Sequence, residues 1–335
     1  MIKGVYKVYK NGELLLEKEN QMTVAGRAIV LKALMGLIPS IGGNIQVGIS
    51  STANQNADSN GLIPDTRLGF SVSSVPVRLA FLDNSGNYDA MVFRGTIPSN
   101  EESYEIYELG IFPSKPNAEQ TFQQLSLVSG SRADGWKKNG VNVGDPNTTL
   151  PTVPTNSCFV SSAPTGFAGG FRVGNEALFV KTGDTLNINK TFNQFTAAGE
   201  NAFLADDYIT VAYSKKSADT PAVTLKFLYN DDNYFYKTVT LPSGTTYGFV
   251  SILRSEFSIY GTSTLSWGNI NGIAIGTASA DVIIDAIRIN DNDNLDTTYG
   301  MVSRTVLGSN NKITKSQGES LDIEYYLSFG FNKAI

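Results

Sequence analysis

Histidine is absent from this sequence, so its chemistry must come from carboxylates and aromatic rings. Without imidazole there is no Ser-His or Cys-His nucleophile and no imidazole-ligated metal, whereas carboxylate chemistry and oxygen-ligated cations remain. Paired carboxylates are what glycoside hydrolysis requires. Adjacent pairs occur at Asp206-Asp207, Asp231-Asp232 and Glu101-Glu102, and Glu105 and Glu108 share a strand. Neighbours in a strand point to opposite faces, so the spacing puts no two of them on a shared surface. The expectation is that the protein is not an enzyme and that Glu108 pairs with an arginine such as Arg304. The rings offer more. Trp267, Tyr260, Tyr234 and Tyr236 occur in a strand-and-loop region with Asn233 and Asn269, and Trp136 sits in the loop-like DGWKKNG. An exposed ring stacks on the apolar C–H face of a pyranose while polar neighbours grip its hydroxyls, which makes these five the candidate glycan contacts. Packing in a core or between subunits is the alternative for each. Asp285 shares a strand face with Ile283, Ile287 and Ile289. A carboxylate there must find donors, from backbone N–H groups or Arg288, or a metal.

The 335 residues suffice for two domains, each with its own core. With 32 Gly, 15 Tyr, 18 Phe and only 17% charged residues, the composition suits a mostly β protein with many turns. The net charge of −5 comes without a basic run, so phosphate-neutralising contact with nucleic acid is not expected. Cys158 stands alone, which excludes an intramolecular disulfide and fits a small buried apolar residue. No apolar run reaches membrane-spanning length and no charged-then-apolar leader opens the chain, so synthesis in a cytoplasm without membrane insertion is the expectation. P-loop, Rossmann, nucleophile-elbow and zinc spacings are all missing.

One stretch reads as an amphipathic helix, Thr23–Leu37. Ala25, Ile29, Ala33 and Leu37 fall four apart, Val30 and Leu34 widen the stripe, and Arg27 and Lys32 point away. Thr23 can cap its N-terminus, and Pro39 is placed to end it. With no helical partner, it must pack on a sheet. Around it, Gly4–Tyr9 and Glu13–Lys18 flank the turn pair Asn11-Gly12, Asn44–Ile49 alternates, and Ser50–Asp65 is an aperiodic loop. Val75–Leu82 and Tyr88–Pro98 form a hairpin around Asp83–Asn87, and Tyr104–Phe112 is a further strand ended by Pro113-Ser114-Lys115-Pro116. From Glu119 to Asn175 periodicity is poor. Eight short strands then follow: Ala177–Lys181, Thr185–Asn189, Tyr208–Tyr213, Ala222–Tyr229, Tyr234–Leu241, Gly248–Leu253, Ile270–Ile275 and Val282–Ile289. Their spacing predicts a two-sheet jelly-roll ended by the Asn290–Asp296 run. Tyr299–Leu307 and Lys312–Lys315 straddle a turn. The last strand places Leu321, Ile323, Tyr325, Leu327, Phe329 and Phe331 on one face. That dry face needs a sheet, and the helix-bearing segment is the nearest candidate. The expected organisation is a discontinuous β-sandwich domain, 1–116 and 297–335, with one packed α-helix and an inserted β jelly-roll, 117–296.

These outer segments resemble bacteriophage tail-appendage and baseplate proteins. The similarity rests on T-x-A-G-R at Thr23–Arg27, on QVGIS, and on the strand carrying Tyr104, Ile106, Glu108, Leu109, Gly110, Ile111 and Phe112. Ser303-Arg304, Lys315, Gly318 and the strand Leu321–Phe329 complete it. The middle is similar to galactose-binding-like jelly-rolls, the fold of many carbohydrate-binding modules, through the closing strand Ala280–Asp291. That likeness implies a structural calcium near Asp285, with Asp206, Asp207 or backbone carbonyls as further ligands; no other cofactor is suggested. The resemblance implies a phage virion component of tail, baseplate or fibre, assembled in the host cytoplasm. It would form homo-oligomers through its outer domain, contact other virion structural proteins, and present the jelly-roll to host surface glycans. Capsid-surface decoration or a head fibre, a stand-alone carbohydrate-binding protein, and a glycan-degrading enzyme are the alternatives.

Overall fold

The computed structural model describes the chain apart from residues 1–2, 85–87, 115–124, 130–135, 139–140, 143–158, 190, 192–194, 196–202, 263, 291–299 and 333–335. Cys158, the Gly86 turn, Lys115-Pro116, much of the aperiodic 119–175 stretch and the Asp291–Asp296 run therefore lie outside the described residues. The protein is mostly β, and it forms two compact units: Met1–Phe122 with Asp293–Ile335, and Gln123–Asn292. Unit 1 begins with β1 (Lys3–Lys10), β2 (Glu13–Glu19), β3 (Gln21–Met22), α1 (Val24–Leu34), β4 (Asn44–Gly48) and β5 (Ser71–Pro76). It continues through β6 (Leu79–Asp83), β7 (Tyr88–Ile97), β8 (Tyr104–Ile106) and β9 (Glu108–Phe112). Unit 2 opens with β10 (Leu125–Ser129), β11 (Lys137–Lys138), β12 (Val141–Asn142), β13 (Phe159–Val160), β14 (Ala177–Val180), β15 (Thr185–Asn189) and β16 (Tyr208–Ser214). Then come β17 (Ala222–Asn230), β18 (Asn233–Thr240), β19 (Tyr247–Leu253), β20 (Ser258–Tyr260), β21 (Gly272–Thr277) and β22 (Val282–Asn290). Unit 1 resumes with β23 (Ser303–Val306), β24 (Ile313–Lys315) and β25 (Leu321–Asn332).

In unit 1 the two larger sheets have strand orders β2-β1-β25-β7-β6 and β3-β23-β9-β4-β5. The final strand lies between β1 and β7, and its side chains Leu321, Ile323, Tyr325 and Leu327 are fully buried. Burial of such side chains contributes roughly 1.5–3 kcal/mol each, enough for this one strand to decide where the C-terminal segment docks. Asn11 and Gly12 both take positive φ, as the β1–β2 turn requires. Two expected strands are each broken in two. Val75–Leu82 divides at Pro76, so β5 pairs with β4 in one sheet and β6 with β7 in the other. Tyr104–Phe112 divides at Tyr107, and β8 pairs with β24 while β9 lies between β23 and β4.

Thr23 caps α1 as expected, accepting from Gly26 N at 2.7 Å. The helix stops at Leu34, not Leu37. Gly36 adopts φ +72, its N–H bonds to Ala33 O, and Leu37 N–H bonds to Lys32 O, a Schellman motif. Gly36 therefore ends the helix before Pro39 is reached, and Leu34 and Leu37 turn outward instead of joining the buried stripe of Ala25, Ile29 and Val30. A Cβ on Gly26 would lie 2.0 Å from Val302 O, so glycine is what lets the helix sit against this backbone.

A buried ion network organises the long loop of this unit. Glu108 lies on β9 and Arg304 opposite Gly110 on β23. The Arg304 Nε and Nη2 donate to Glu108 Oε2 at 3.0 and 2.7 Å, and Nη1 donates to Asp65 at 2.6 Å. Glu108 also accepts from Gly69 N and Phe70 N, each at 2.9 Å, and Arg304 Nη2 donates to Thr52 O at 3.1 Å. All three charged side chains are buried. The pairing expected for Glu108 is thus present, and it holds both ends of the aperiodic loop after β4. Removing one member leaves uncompensated charge inside the unit, which costs about 3–5 kcal/mol. Arg304→Met is expected to lower the urea midpoint of unit 1, read by hydrogen exchange of β9 and β23 amides, while protection of β17 and β21 is unchanged. Equal loss in both sets, or in neither, contradicts this assignment.

Candidate functional site

Unit 2 is a sandwich of two antiparallel sheets. One has the path β13-β14-β22-β16-β19 with β10 also on β22, and the other runs β12-β11-β15-β21-β17-β18-β20. All eight strands expected between residues 177 and 289 are present, within two residues of their anticipated ends. β10 to β13 and β20 are additional, short pieces that periodicity does not register. Leu186, Ile188, Ile273, Ile275, Leu225 and Phe227 face inward from the second sheet and meet Val211, Ile252, Val282 and Ile284 from the first.

Strand alternation then dictates what lies on the outer surface of the second sheet. Cross-strand register gives one row of Asn189, Gly272, Leu228, Tyr234 and Tyr260, and a second of Asn187, Ala274, Lys226, Tyr236 and Ser258. A third row holds Thr185, Gly276, Thr224 and Thr238. Every outward position of β21 is therefore Gly or Ala. Ala274 and Gly276 form the low floor of a groove of about 580 Å³, with Tyr234, Tyr236 and Tyr260 toward one side and Thr185 on the other. Gly272, in the first row, lies outside the groove's lining, and a Cβ there would come within 2.7 Å of Ile188 O. The floor from Ala274 to Gly276 spans roughly 7 Å.

Three of the five expected rings meet here. Tyr234 and Tyr260 stack with centroids 4.8 Å apart, and Tyr236 stands edge-on to Tyr234 at 5.9 Å. The Lys226 ammonium lies 4.4 Å from the Tyr234 centroid. Tyr260 is half exposed. With Lys226 and Tyr260 against Tyr234, the ring surfaces left for a ligand are those of Tyr260 and Tyr236.

The two tryptophans are elsewhere, which corrects their assignment as ligand platforms. Trp267 is 6% exposed and stacks on Phe235 at 4.3 Å, with Phe195, Phe203, Phe227 and Phe257 also around it. Trp136 is 3% exposed within the same core. A ring enclosed on all sides offers no face to a sugar. Both are packing residues, and the loop composition around them carries no sign of it. Lys226, Asp184, Thr185, Thr224 and Thr238 line the groove without having been anticipated. The alternating GIAIGT of β21 is the signal that marks the groove in the sequence.

Asp285 is buried and takes three donors. Its Oδ2 accepts from Arg172 N at 2.7 Å and Tyr247 OH at 2.6 Å, and Oδ1 accepts from Val173 N at 3.2 Å. The β16–β22 register slips beside Asp285, so Ile287 and Ile289 face the sandwich core while Ile283 packs with Phe167 and Phe179. The shared face expected for the three isoleucines is thus corrected by a bulge. Asp207 accepts from Leu204 N at 2.6 Å, and Asp206 precedes it in the same turn. Asp207 adjoins the Tyr208–Asn290 pair, five strand positions or roughly 16 Å from Ala212–Ala286 beside Asp285. Calcium takes about six to eight oxygen ligands, and among the described residues no group of three or more acidic, His or Cys side chains is placed to hold a metal. Asp285 and Asp207 are thus too far apart to share one calcium. Asp285 instead fastens the 172–173 backbone to the sheet.

Carboxylates are sparse at the groove. Among its described lining residues the one carboxylate is Asp184. Glu101 accepts from Ser73 and Tyr104, and Glu105 pairs with Lys312. Asp231 and Asp232 are exposed in the β17–β18 turn. Glycosidases use two carboxyl groups roughly 5 to 9.5 Å apart.

Burial pushes the Asp285 carboxyl up from 3.8 to about 6, against the lowering effect of its hydrogen bonds. Between these values the folded protein keeps a proton that the unfolded chain has released, so stability falls as pH rises, by about 3 kcal/mol in all. Asp285→Asn removes this titration. The stability of the variant relative to the parent is expected to rise from pH 4 to pH 6 and level off above pH 7, measured by urea melts; a flat or falling difference contradicts it. Trp267→Ala is expected to destabilise unit 2 by about 3–5 kcal/mol, whereas Tyr260→Ala costs less than about 1 kcal/mol. Comparable losses for the two would refute the placement of Trp267 in the core.

No protein-family model matches the chain, and no curated protein matches it. Among solved structures it is similar to a family 11 carbohydrate-binding module from Clostridium thermocellum, in complex with a beta-1,3-1,4-mixed-linked tetrasaccharide. That match has 13% identity and a TM-score of 0.27, covering 56% of this chain and 95% of the module. A C-terminal family 22 carbohydrate binding module of the same organism matches at 12% identity and TM-score 0.28, covering 54% of this chain and all (100%) of that one. The enzymatically active domain of tailspike protein 4 from bacteriophage CBA120 matches at 12% identity and TM-score 0.25, covering 50% of this chain and 21% of that one. At these TM-scores none of the three carries weight for function in this chain.

Proposed function

We propose that this protein is a glycan-binding structural component of a phage virion, with unit 2 as the binding module and unit 1 as the assembly platform. The observation that carries the binding role is the groove itself. A floor of Ala274 and Gly276 beside the rings of Tyr236 and Tyr260 gives a pyranose chain a flat apolar wall. Thr185, Thr224 and Thr238 supply hydroxyl partners along the same surface. Single-site affinity in such an open groove is modest, and repeated copies raise it through effective concentration.

Support for the platform role comes from the residues that resemble phage tail-appendage proteins, because they form a connected set in unit 1. Thr23 caps α1 and donates to Met301 O, Gly26 admits Val302, and Glu108 binds Arg304. Oligomerisation is supported by the end of α1, where Leu31, Leu34, Met35 and Leu37 are each more than half exposed. Other virion structural proteins are the partners this reading implies, with assembly in the host cytoplasm.

Glycan-array binding by the intact chain tests the binding role. Tyr236→Ala and Tyr260→Ala are each expected to weaken the best ligand roughly two- to tenfold. Binding unaffected by both would place the ligand elsewhere, and no binding to any glycan would refute the role. For the platform, sedimentation is expected to show an oligomer that Leu34→Glu with Met35→Glu returns to a monomer. A monomeric parent at micromolar concentration contradicts it.

A further inference from the structure

We infer that the groove selects acidic glycans and that Lys226 is its specificity-determining residue; this rests on the groove being a glycan site. Lys226 is the one cation among the groove's described lining residues, and it stands in the central row between Ala274 and Tyr236. Among the described residues it makes no ion pair, unlike Lys237 on the same sheet, which is bonded to Glu256 at 2.9 Å. Its ammonium is instead seated 4.4 Å from the Tyr234 centroid, and Tyr260 stacks on that same ring. Tyr234 thus acts as a positioning residue, holding a flexible side chain in the groove through cation–π attraction. An ammonium held this way is partly relieved of water and keeps N–H donors for a carboxylate.

Asp184, the lone carboxylate among the described lining residues, does not cancel this charge. It precedes Thr185, which is opposite Gly276, while Lys226 is opposite Ala274 on the next strand over. Three residues along and two strands across separate their backbones by roughly 14 Å, and the Lys226 ammonium is seated on Tyr234, whose row lies on the side away from Asp184. A uronic or sialic acid unit stacked on Tyr236 or Tyr260 would bring its carboxylate to Lys226, with its hydroxyls toward the threonines. A neutral sugar would leave the cation without an anionic partner.

The test uses the intact chain and three polysaccharides, polygalacturonate, hyaluronate and polysialate, each beside its carboxyl-reduced form. At least one acidic form is expected to bind roughly tenfold or more tightly than its reduced counterpart, with the ratio falling as salt rises. In Lys226→Gln the ratio is expected to drop to about one, and in Lys226→Arg to persist. Equal binding of acidic and reduced forms, or a ratio unchanged in Lys226→Gln, overturns the selectivity while leaving the glycan site standing. Failure of every acidic and reduced form to bind overturns the assignment of acidic ligands, and the same outcome on the glycan array removes the site itself.

Discussion

Antiparallel pairing of β9 with β23 is the constraint on which unit 1 depends. These strands belong to parts of the chain separated by all of unit 2, yet Ile111 lies opposite Ser303 and Leu109 opposite Thr305. The pairing brings Glu108 to Arg304, and the resulting network orders a loop with no periodicity of its own by supplying charged partners for its backbone. Desolvating three charges is unfavourable, and the network is tolerable because nearly every lone pair and N–H meets a partner. Its geometry matches the register in which Arg304 lies opposite Gly110. Because the chain leaves through β9 and returns through β23, the interval between them can hold a separate compact unit without disturbing either sheet.

Unit 2 separates folding from recognition by face. Inward positions of β15, β21 and β17 are large and apolar, as a sandwich core demands. Outward positions of β21 are not what stability favours, since Gly inside a strand costs roughly 0.5–1 kcal/mol relative to Ala. Of the two such glycines flanking Ala274 in one central strand, Gly276 lowers the floor of the groove, and glycine in a strand marks a place where something approaches the backbone. The tyrosine wall beside it is shaped by contacts among the rings themselves, with Tyr234 as the shared partner of Tyr236, Tyr260 and Lys226.

Strand patterning made much of this legible in advance, because period-two alternation is a local property. The eight strands of the sandwich, the dry face of β25, the Asn11-Gly12 turn and the Thr23 cap could all be read that way. Helix length could not be, since the left-handed conformation of Gly36 overrides an apolar repeat that continues to Leu37. The breaks at Pro76 and Tyr107 escape periodicity because which sheet a strand joins is set by its partners, not by its own pattern. Of the candidate rings, Tyr234, Tyr236 and Tyr260 lie on or beside strands whose parity fixes their face, and they meet in the groove. Trp136 and Trp267 approach the core from irregular segments, where no parity rule applies. The face shared by Ile283, Ile287 and Ile289 fails for a related reason, since a single bulge residue reverses the face of every later position.

Chemical-shift mapping during titration with the best glycan ligand tests the central claim most directly, because it locates the ligand without altering the protein. The account predicts shifts at the amides of Ala274 and Gly276 and at the ring signals of Tyr236 and Tyr260. Shifts confined to the opposite sheet, at residues such as Thr210 and Ser251, or to unit 1, would contradict it.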